Sequence, residues 1–136
     1  MLADSAQSVG GKLYILGGGW NLTTGGSPSA VAILLRVSWD LANTRHDWRL
    51  ELVDSDEQPV LGPAPEGEEP QPVAVTGQIE VGRPAGVPAG TELITPVAVQ
   101  LSAIPLEQGR YVWRLLIDGE PDENARAPFN VVRQQK

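Results

Sequence analysis

Apolar and polar residues alternate one by one along several short segments of this 136-residue chain. In 110–118, RYVWRLLID, every second residue from Tyr111 to Ile117 is aromatic or aliphatic, and Arg110, Arg114 and Asp118 fall on the opposite face. This period of two is typical of a β-strand that buries one face and exposes the other. The same pattern predicts further strands at 31–39, 47–53, 73–81, 97–104 and 129–132.

The number and length of these segments predict the fold class. With the opening stretch they give about seven strands, and none keeps the 3.6-residue period of an amphipathic helix, although 40–46 can form one helical turn. Short strands with one apolar face bury that face by stacking two sheets. The segment LEQGRYVW (106–113) places Gly-x-Tyr at the start of a strand, as in the tyrosine corner of immunoglobulin-like folds. We predict an all-β, two-sheet antiparallel sandwich, a single domain over 1–136, and favour an immunoglobulin-like Greek key over a jelly roll.

Two long connections are rich in proline. Residues 54–72 contain five prolines and residues 82–96 contain three, so both are expected to be extended surface segments. Six acidic residues and no basic residue lie between Asp54 and Glu69, which accounts for most of the net charge of −7. Because nucleic-acid binding requires a basic stripe, we expect no nucleic-acid partner.

The composition also predicts the compartment. The chain has no cysteine, no apolar run near the ~18 residues of a membrane span, and no basic segment followed by an apolar core at its start. We therefore expect a cytoplasmic protein with no membrane partner.

The glycines of KLYILGGGW (12–20) could indicate a nucleotide site or a bent strand. A P-loop consists of a glycine, four further residues and then Gly-Lys-Ser/Thr. In this chain Lys12 precedes the glycines, so the motif is absent from this stretch. A dinucleotide fingerprint that starts at Gly17 needs glycine at position 22, which is Leu22. We predict a strand interrupted at Gly17–Gly19 and resumed at Trp20, with glycines that allow a bend or the close approach of another chain segment. The alternative is a ligand or partner contact at this bare backbone.

Catalytic and metal-binding patterns are incomplete. His46 is the one histidine, and its neighbour Asp47 points to the opposite face of a strand, so the two cannot pair directly. The segment DSDE (54–57) opens like a calcium loop, but the sixth and twelfth loop positions are Pro59 and Pro65 instead of glycine and glutamate. We expect His46 on the surface, and we predict that the protein is not an enzyme and has no catalytic residue, metal or cofactor.

Four tryptophans leave two hypotheses for function. Trp39, Trp48 and Trp113 occupy predicted inward positions, whereas Trp20 could be either core or exposed. The first hypothesis is a non-enzymatic protein-binding or self-assembly module, in which an edge strand or a charged outer face contacts a partner or forms a homo-oligomer. The alternative is a small-ligand or carbohydrate-binding module that uses Trp20 and the Gly17–Gly19 backbone. The candidate surface residues are Gly17, Gly18, Gly19, Trp20, Arg36, Arg49, Glu51 and Arg114.

Four segments resemble, in matching order, a family of small bacterial proteins known only as a domain of unknown function. The resemblance implies a compact β-sandwich of bacterial origin and carries over no catalytic residue. The segments are LADSAQ (2–7), GKLYILGGGW (11–20), VSWDLANTRH (37–46) and GRYVWRLLIDGE (109–120).

Overall fold

A computed structural model describes residues 1–133 of the chain. The described part contains nine β-strands and one short 3-10 helix, η1. The elements are β1 (Leu2–Val9), β2 (Lys12–Gly18), β3 (Leu22–Thr23), β4 (Ser29–Val37), η1 (Trp39–Leu41), β5 (Arg45–Asp54), β6 (Ala74–Glu80), β7 (Leu93–Leu101), β8 (Gly109–Ile117) and β9 (Glu120–Val131).

The strands form two sheets, which confirms the prediction of an all-β chain with two sheets. The first sheet has the order β2-β1-β4-β7, and the second has the order β3-β9-β8-β5-β6. Neighbouring strands are antiparallel except β3 and β9, which run parallel. The apolar faces of both sheets meet in one core, because alternate residues of each strand point inward. Its buried residues are Leu2, Val31, Val99 and Leu101 from the first sheet, and Leu50, Leu52, Trp113, Leu115, Phe129 and Val131 from the second.

The opening stretch forms three strands instead of the one predicted, so the described chain has nine strands. Gly10 and Gly11 have left-handed φ angles of 59° and 76° and join β1 to β2 in a two-residue hairpin turn. The sequence analysis predicted that the strand resumes at Trp20, and this prediction is wrong. The chain forms β3 two residues later, and β3 pairs with β9 of the other sheet.

Two strands are longer than their sequence pattern predicts. β7 begins at Leu93 and includes Pro96, whose missing N–H faces away from β4 and costs no ladder hydrogen bond. β9 begins at Glu120, nine residues before the predicted strand 129–132, because Asp118 and Gly119 form a second tight turn with positive φ angles.

The β1–β2 hairpin folds across the outer face of the first sheet. β1 pairs with β4 only at Leu2 and Ala3 and then crosses β4 and β7. Ala6 packs there in a cluster with alanines of β4 and β7, whose small side chains permit this close approach. The hydroxyl of Ser8 donates a hydrogen bond of 3.2 Å to the carbonyl of Pro96. This crossing leaves β2 on the outside of the fold and takes β1 away from β4 after Ala3.

The two proline-rich connections contact the second sheet and η1. The N–H of Val60 donates to the carbonyl of Leu52, which ties the acidic 54–69 segment to β5. Trp39 belongs to η1, so it does not lie on an inward strand face as predicted. The guanidinium of Arg83 lies 4.6 Å from the centroid of its ring and donates to its carbonyl. Within residues 1–133, no helix has both the length and the apolar character needed to cross a membrane.

Candidate functional site

β2 is an outer edge of the first sheet and pairs with β1 alone. Six of its seven residues are exposed. The two-residue turn makes Lys12 part of a hydrogen-bonded pair with β1, so the backbone groups of every second residue from Lys12 to Leu16 face β1. The backbone groups of Leu13 and Ile15 therefore face outward. They form a row of donors and acceptors that a further strand can pair with.

The outward side chains of the hairpin are largely apolar. Tyr14 is 56% exposed, Leu16 is 72% exposed and Val9 is 56% exposed. Tyrosine and aliphatic residues on a free edge are typical of strand-mediated interfaces. Asp4 and Lys12 are the only charged side chains in residues 1–20, so the side chains of this segment carry no net charge.

The other outer edges are less suited to strand addition. β7, the opposite edge of the first sheet, carries Pro96 near its centre. β6, the outer edge of the second sheet, exposes Thr76, Gln78 and Glu80 and is continued by the acidic proline-rich segment. Proline and charged residues are the features that protect sheet edges from pairing. β2 is therefore a more accessible apolar edge than β6 or β7.

The three glycines after this edge permit tight packing and a change of direction, as the bent-strand interpretation expects. Gly17 has a φ of 59°, and a Cβ there would collide with the carboxylate of Asp4. A Cβ at Gly18 would lie 2.7 Å from Cγ2 of Ile15. Gly19 has a φ of 89°, a left-handed conformation that side chains disfavour. The glycines thus end β2 and direct the chain toward Trp20.

Trp20 packs against the core. Its ring meets Phe129 edge to face, with centroids 6.5 Å apart and an interplanar angle of 85°. It lines a cavity of about 390 Å³ together with Asp4, whereas Gly17–Gly19 are not part of the lining. Its Nε1 is buried, and no atom of residues 1–133 accepts a hydrogen bond from it. The structure therefore does not join Trp20 and the glycines in one shallow site.

The predicted charged residues lie on two different outer faces. Arg49, Glu51 and Arg114 meet on the second sheet, with 2.7 Å from Arg114 Nε to Glu51 Oε1 and 3.1 Å from Arg49 Nε to Glu51 Oε2. Burial favours the neutral form of Glu51, but the hydrogen bonds from both arginines outweigh it and lower the pKa of this carboxyl. Arg36 lies on the first sheet and pairs with Glu92 at 3.3 Å. The eight candidate residues thus occupy four separate places: Gly17–Gly19, Trp20, the group of Arg49, Glu51 and Arg114, and Arg36.

His46 is buried, which corrects the expectation of a surface histidine. Its Nε2 donates to the carbonyl of Leu41 and its Nδ1 donates to Oδ2 of Asp118, both at 2.8 Å. The hydrogen bond to Leu41 and the hydrogen bond to Asp118 raise the pKa of His46, since both ring nitrogens donate when the ring is protonated. Asp118 also accepts from the N–H of Asp47, so the histidine joins η1 to the β8–β9 turn. Among residues 1–133, no group of three or more His, Cys, Asp or Glu side chains is arranged to hold a metal ion.

This pairing predicts a pH-dependent stability. Because the folded-state pKa of His46 lies above its unfolded value of about 6.5, its contribution is complete below that pH and is lost as pH rises through the folded pKa. We expect the free energy of unfolding to fall more steeply between pH 6 and 9 in the natural protein than in His46→Gln, measured by urea denaturation. The Met1 amino group, whose pKa burial lowers, acts in the opposite direction in both proteins and cancels in the difference. Identical pH slopes for the two proteins would contradict this role of His46.

The fold is that of a two-sheet β protein in which β2 is an exposed outer edge of the first sheet. The model of a family of unknown function, DUF6941, matches residues 1–132, and the chain belongs to this family. Comparison with curated proteins and with solved structures gives no match.

Proposed function

We propose that this protein is a non-enzymatic protein-binding module of the bacterial cytoplasm that assembles with a second copy of itself through β2. The observation that carries the proposal is the outward row of backbone groups at Leu13 and Ile15, next to the exposed side chains of Tyr14 and Leu16. Backbone hydrogen bonds supply affinity in strand addition, and alternate side chains supply specificity.

The geometry of β2 suits a two-fold antiparallel pair centred on Tyr14. In that register Leu13 of one copy faces Ile15 of the other, and both present their backbone groups outward. The two Tyr14 side chains then oppose each other in a closely spaced, non-hydrogen-bonded pair. Lys12 faces Leu16 of the second copy, so the two lysines do not meet.

The charge distribution also favours this edge. The first 20 residues carry one acid and one base, and the six acids between Asp54 and Glu69 belong to a segment that follows β5 on the second sheet. Pairing through β2 therefore joins neutral surfaces of two acidic molecules. Lys12, at the start of β2, is the one charged residue of this edge. Sheet edges with few charged residues are the ones most prone to pair.

We assign the chain to an immunoglobulin-like Greek key sandwich, a single domain over 1–136. The hydroxyl of Tyr111 donates to the carbonyl of Glu107 at 2.8 Å, which supports a tyrosine corner at the start of β8. The parallel pairing of β3 with β9 brings the N-terminal segment onto the second sheet and supports the same topology over a jelly roll.

Sedimentation velocity over a range of protein concentrations tests the proposed assembly. We expect a reversible monomer–dimer equilibrium without larger species, because a two-fold contact through β2 uses up the edge in each copy. A single monomer species up to millimolar protein, or open-ended polymers, would overturn the proposal.

The cavity beside Trp20 supports a second function, a small-ligand or carbohydrate-binding module. Its specific observation is the buried Nε1 of Trp20, which finds no acceptor within residues 1–133 and could donate to a ligand. A ligand there would quench tryptophan fluorescence. A glycan array followed by fluorescence titration tests this function, and no quenching by any glycan would exclude the carbohydrate class.

A further inference from the structure

A groove opens between the two sheets on the side where β4 faces β9. It has a volume of about 460 Å³, and its floor includes the core side chains of Leu50, Trp113 and Leu115. Ile33 and Leu35 of β4 line it and remain half-buried. Leu50, Trp113 and Leu115 stay buried at the floor, whereas the apolar rim of the groove at Ile33 and Leu35 is only half-covered.

The edge of β4 along this groove has free backbone groups. The β1–β4 ladder ends where the N–H of Ala32 donates to the carbonyl of Met1 at 2.8 Å and the Met1 amino group donates to the carbonyl of Ala32 at 3.0 Å. Successive residues of a strand direct these groups to opposite sides, so those of Leu34 and Arg36 point the same way as those of Ala32. No strand of residues 1–133 lies beside them.

The facing edge on β9 is less open. The N–H of Asn130 donates to the carbonyl of Asn21 beside β3, so the backbone positions of Arg126 and residue 128 on the same edge face the groove. Residue 128 is Pro128, which has no N–H, and Pro121 lies near the start of the strand. Prolines of this kind are typical of a protected edge. A strand that enters the groove is therefore expected to pair with β4.

We propose that this groove binds an extended segment of another protein, which adds as a strand antiparallel to β4 beside residues 33–37. Its inward residues, at every second position, are apolar and cover the half-buried side chains of Ile33 and Leu35. Its outward residue beside Arg36 is acidic, because the side chain of Arg36 is 70% exposed and pairs with Glu92 only at the surface. The exposed β2 strand of a second copy fits less well, since its one charge is Lys12.

A synthetic peptide of this design is the probe, acetyl-Thr-Val-Glu-Val-Thr-Val-amide. Antiparallel to β4, its three valines lie opposite Val37, Leu35 and Ile33 and face the groove. Its glutamate lies opposite Arg36, and its inner threonine lies opposite Leu34. We expect submillimolar binding in an NMR titration of the Leu16→Lys protein, in which pairing through β2 is weakened. The Leu34 and Arg36 amides should shift and gain protection from exchange.

Two matched controls test the pairing and its register. Proline in place of the inner threonine removes the donor opposite Leu34, and we expect at least tenfold weaker binding. The Arg36→Glu protein should bind the glutamate peptide about threefold more weakly and should prefer a peptide with lysine at that position. Arg36 is exposed, so this change leaves the core intact.

Four outcomes would overturn the proposal. The first is the absence of shifts at Leu34 and Arg36 up to millimolar peptide, and the second is equal binding of the proline peptide. The third is protection of these two amides by a rise in protein concentration alone, which would assign the groove to a second copy. Shifts confined to Leu13 and Ile15 would also contradict it, because the peptide would then use the β2 edge.

Discussion

Leu16→Lys is expected to weaken dimerisation about 30-fold. In the proposed register this residue faces Lys12 of the second copy, and two-fold symmetry repeats the contact. Like charges directly opposite in a strand pair cost up to about 1 kcal/mol, so the two contacts cost about 2 kcal/mol, which is roughly 30-fold in Kd. Sedimentation equilibrium measures the change.

The matched variants separate register from a general loss of apolar surface. Leu16→Glu places opposite charges in the same contacts and should dimerise more tightly than Leu16→Lys. The double change Lys12→Glu with Leu16→Lys should restore the natural affinity to within a few-fold. Leu16 is 72% exposed, so none of these changes should lower the free energy of unfolding of the monomer by more than about 0.5 kcal/mol. Equal weakening by lysine and glutamate would contradict the register.

Trp113→Ala is expected to reduce the free energy of unfolding by about 3–5 kcal/mol. Trp113 is 3% exposed and packs between the two sheets among the buried core residues. It also lines both the cavity beside Trp20 and the groove beside β4, so its removal joins two openings at the centre of the fold. Urea denaturation in the Leu16→Lys background gives the monomer stability without a contribution from dimerisation.

Trp39→Ala is the control for this prediction. Trp39 is half-buried in η1, and its ring interacts with Arg83 rather than with the core cluster. A cation–π contact at such a site contributes about 0.5–1 kcal/mol, so the loss should be clearly smaller than for Trp113. Equal losses in the two variants would contradict the placement of Trp113 at the centre of the core.

The strands that alternate strictly could be predicted from the sequence because each buries one face. β5 and β8 follow the predicted pattern, with Leu50, Leu52, Trp113 and Leu115 buried. Antiparallel pairing of such strands brings apolar faces together whichever strand is the neighbour. The fold class could thus be predicted from local periodicity, which is visible in the sequence itself.

The remaining elements depend on turns and on tertiary crossing. Gly10–Gly11 and Asp118–Gly119 form tight turns that indicate hairpins, and each extends the strand pairing into segments without clear alternation. The first part of β9 is polar and follows β8 across such a turn, so its own pattern gave no strand.

The candidate site was predictable only in its general location. The sequence placed it near the first strand but selected Trp20 and the glycines, whereas Tyr14 and Leu16 carry the exposed apolar surface. Tyr14 and Leu16 are exposed because β1 crosses the alanines of β4 and β7. This contact joins segments that are distant in sequence, so the period-two pattern of a strand does not predict it. The pairing of His46 with Asp118, separated by 72 positions, was missed for the same reason.

Amide hydrogen exchange at Leu13 and Ile15, measured as a function of protein concentration, tests the assembly most directly. Their N–H groups point away from β1, so exchange should be fast in dilute protein and should slow as the dimer forms. The amides of Tyr14 and Leu16, which pair with β1 within one copy, should stay protected at every concentration. Fast exchange at Leu13 and Ile15 in concentrated protein, with or without dimer in solution, would contradict assembly through β2.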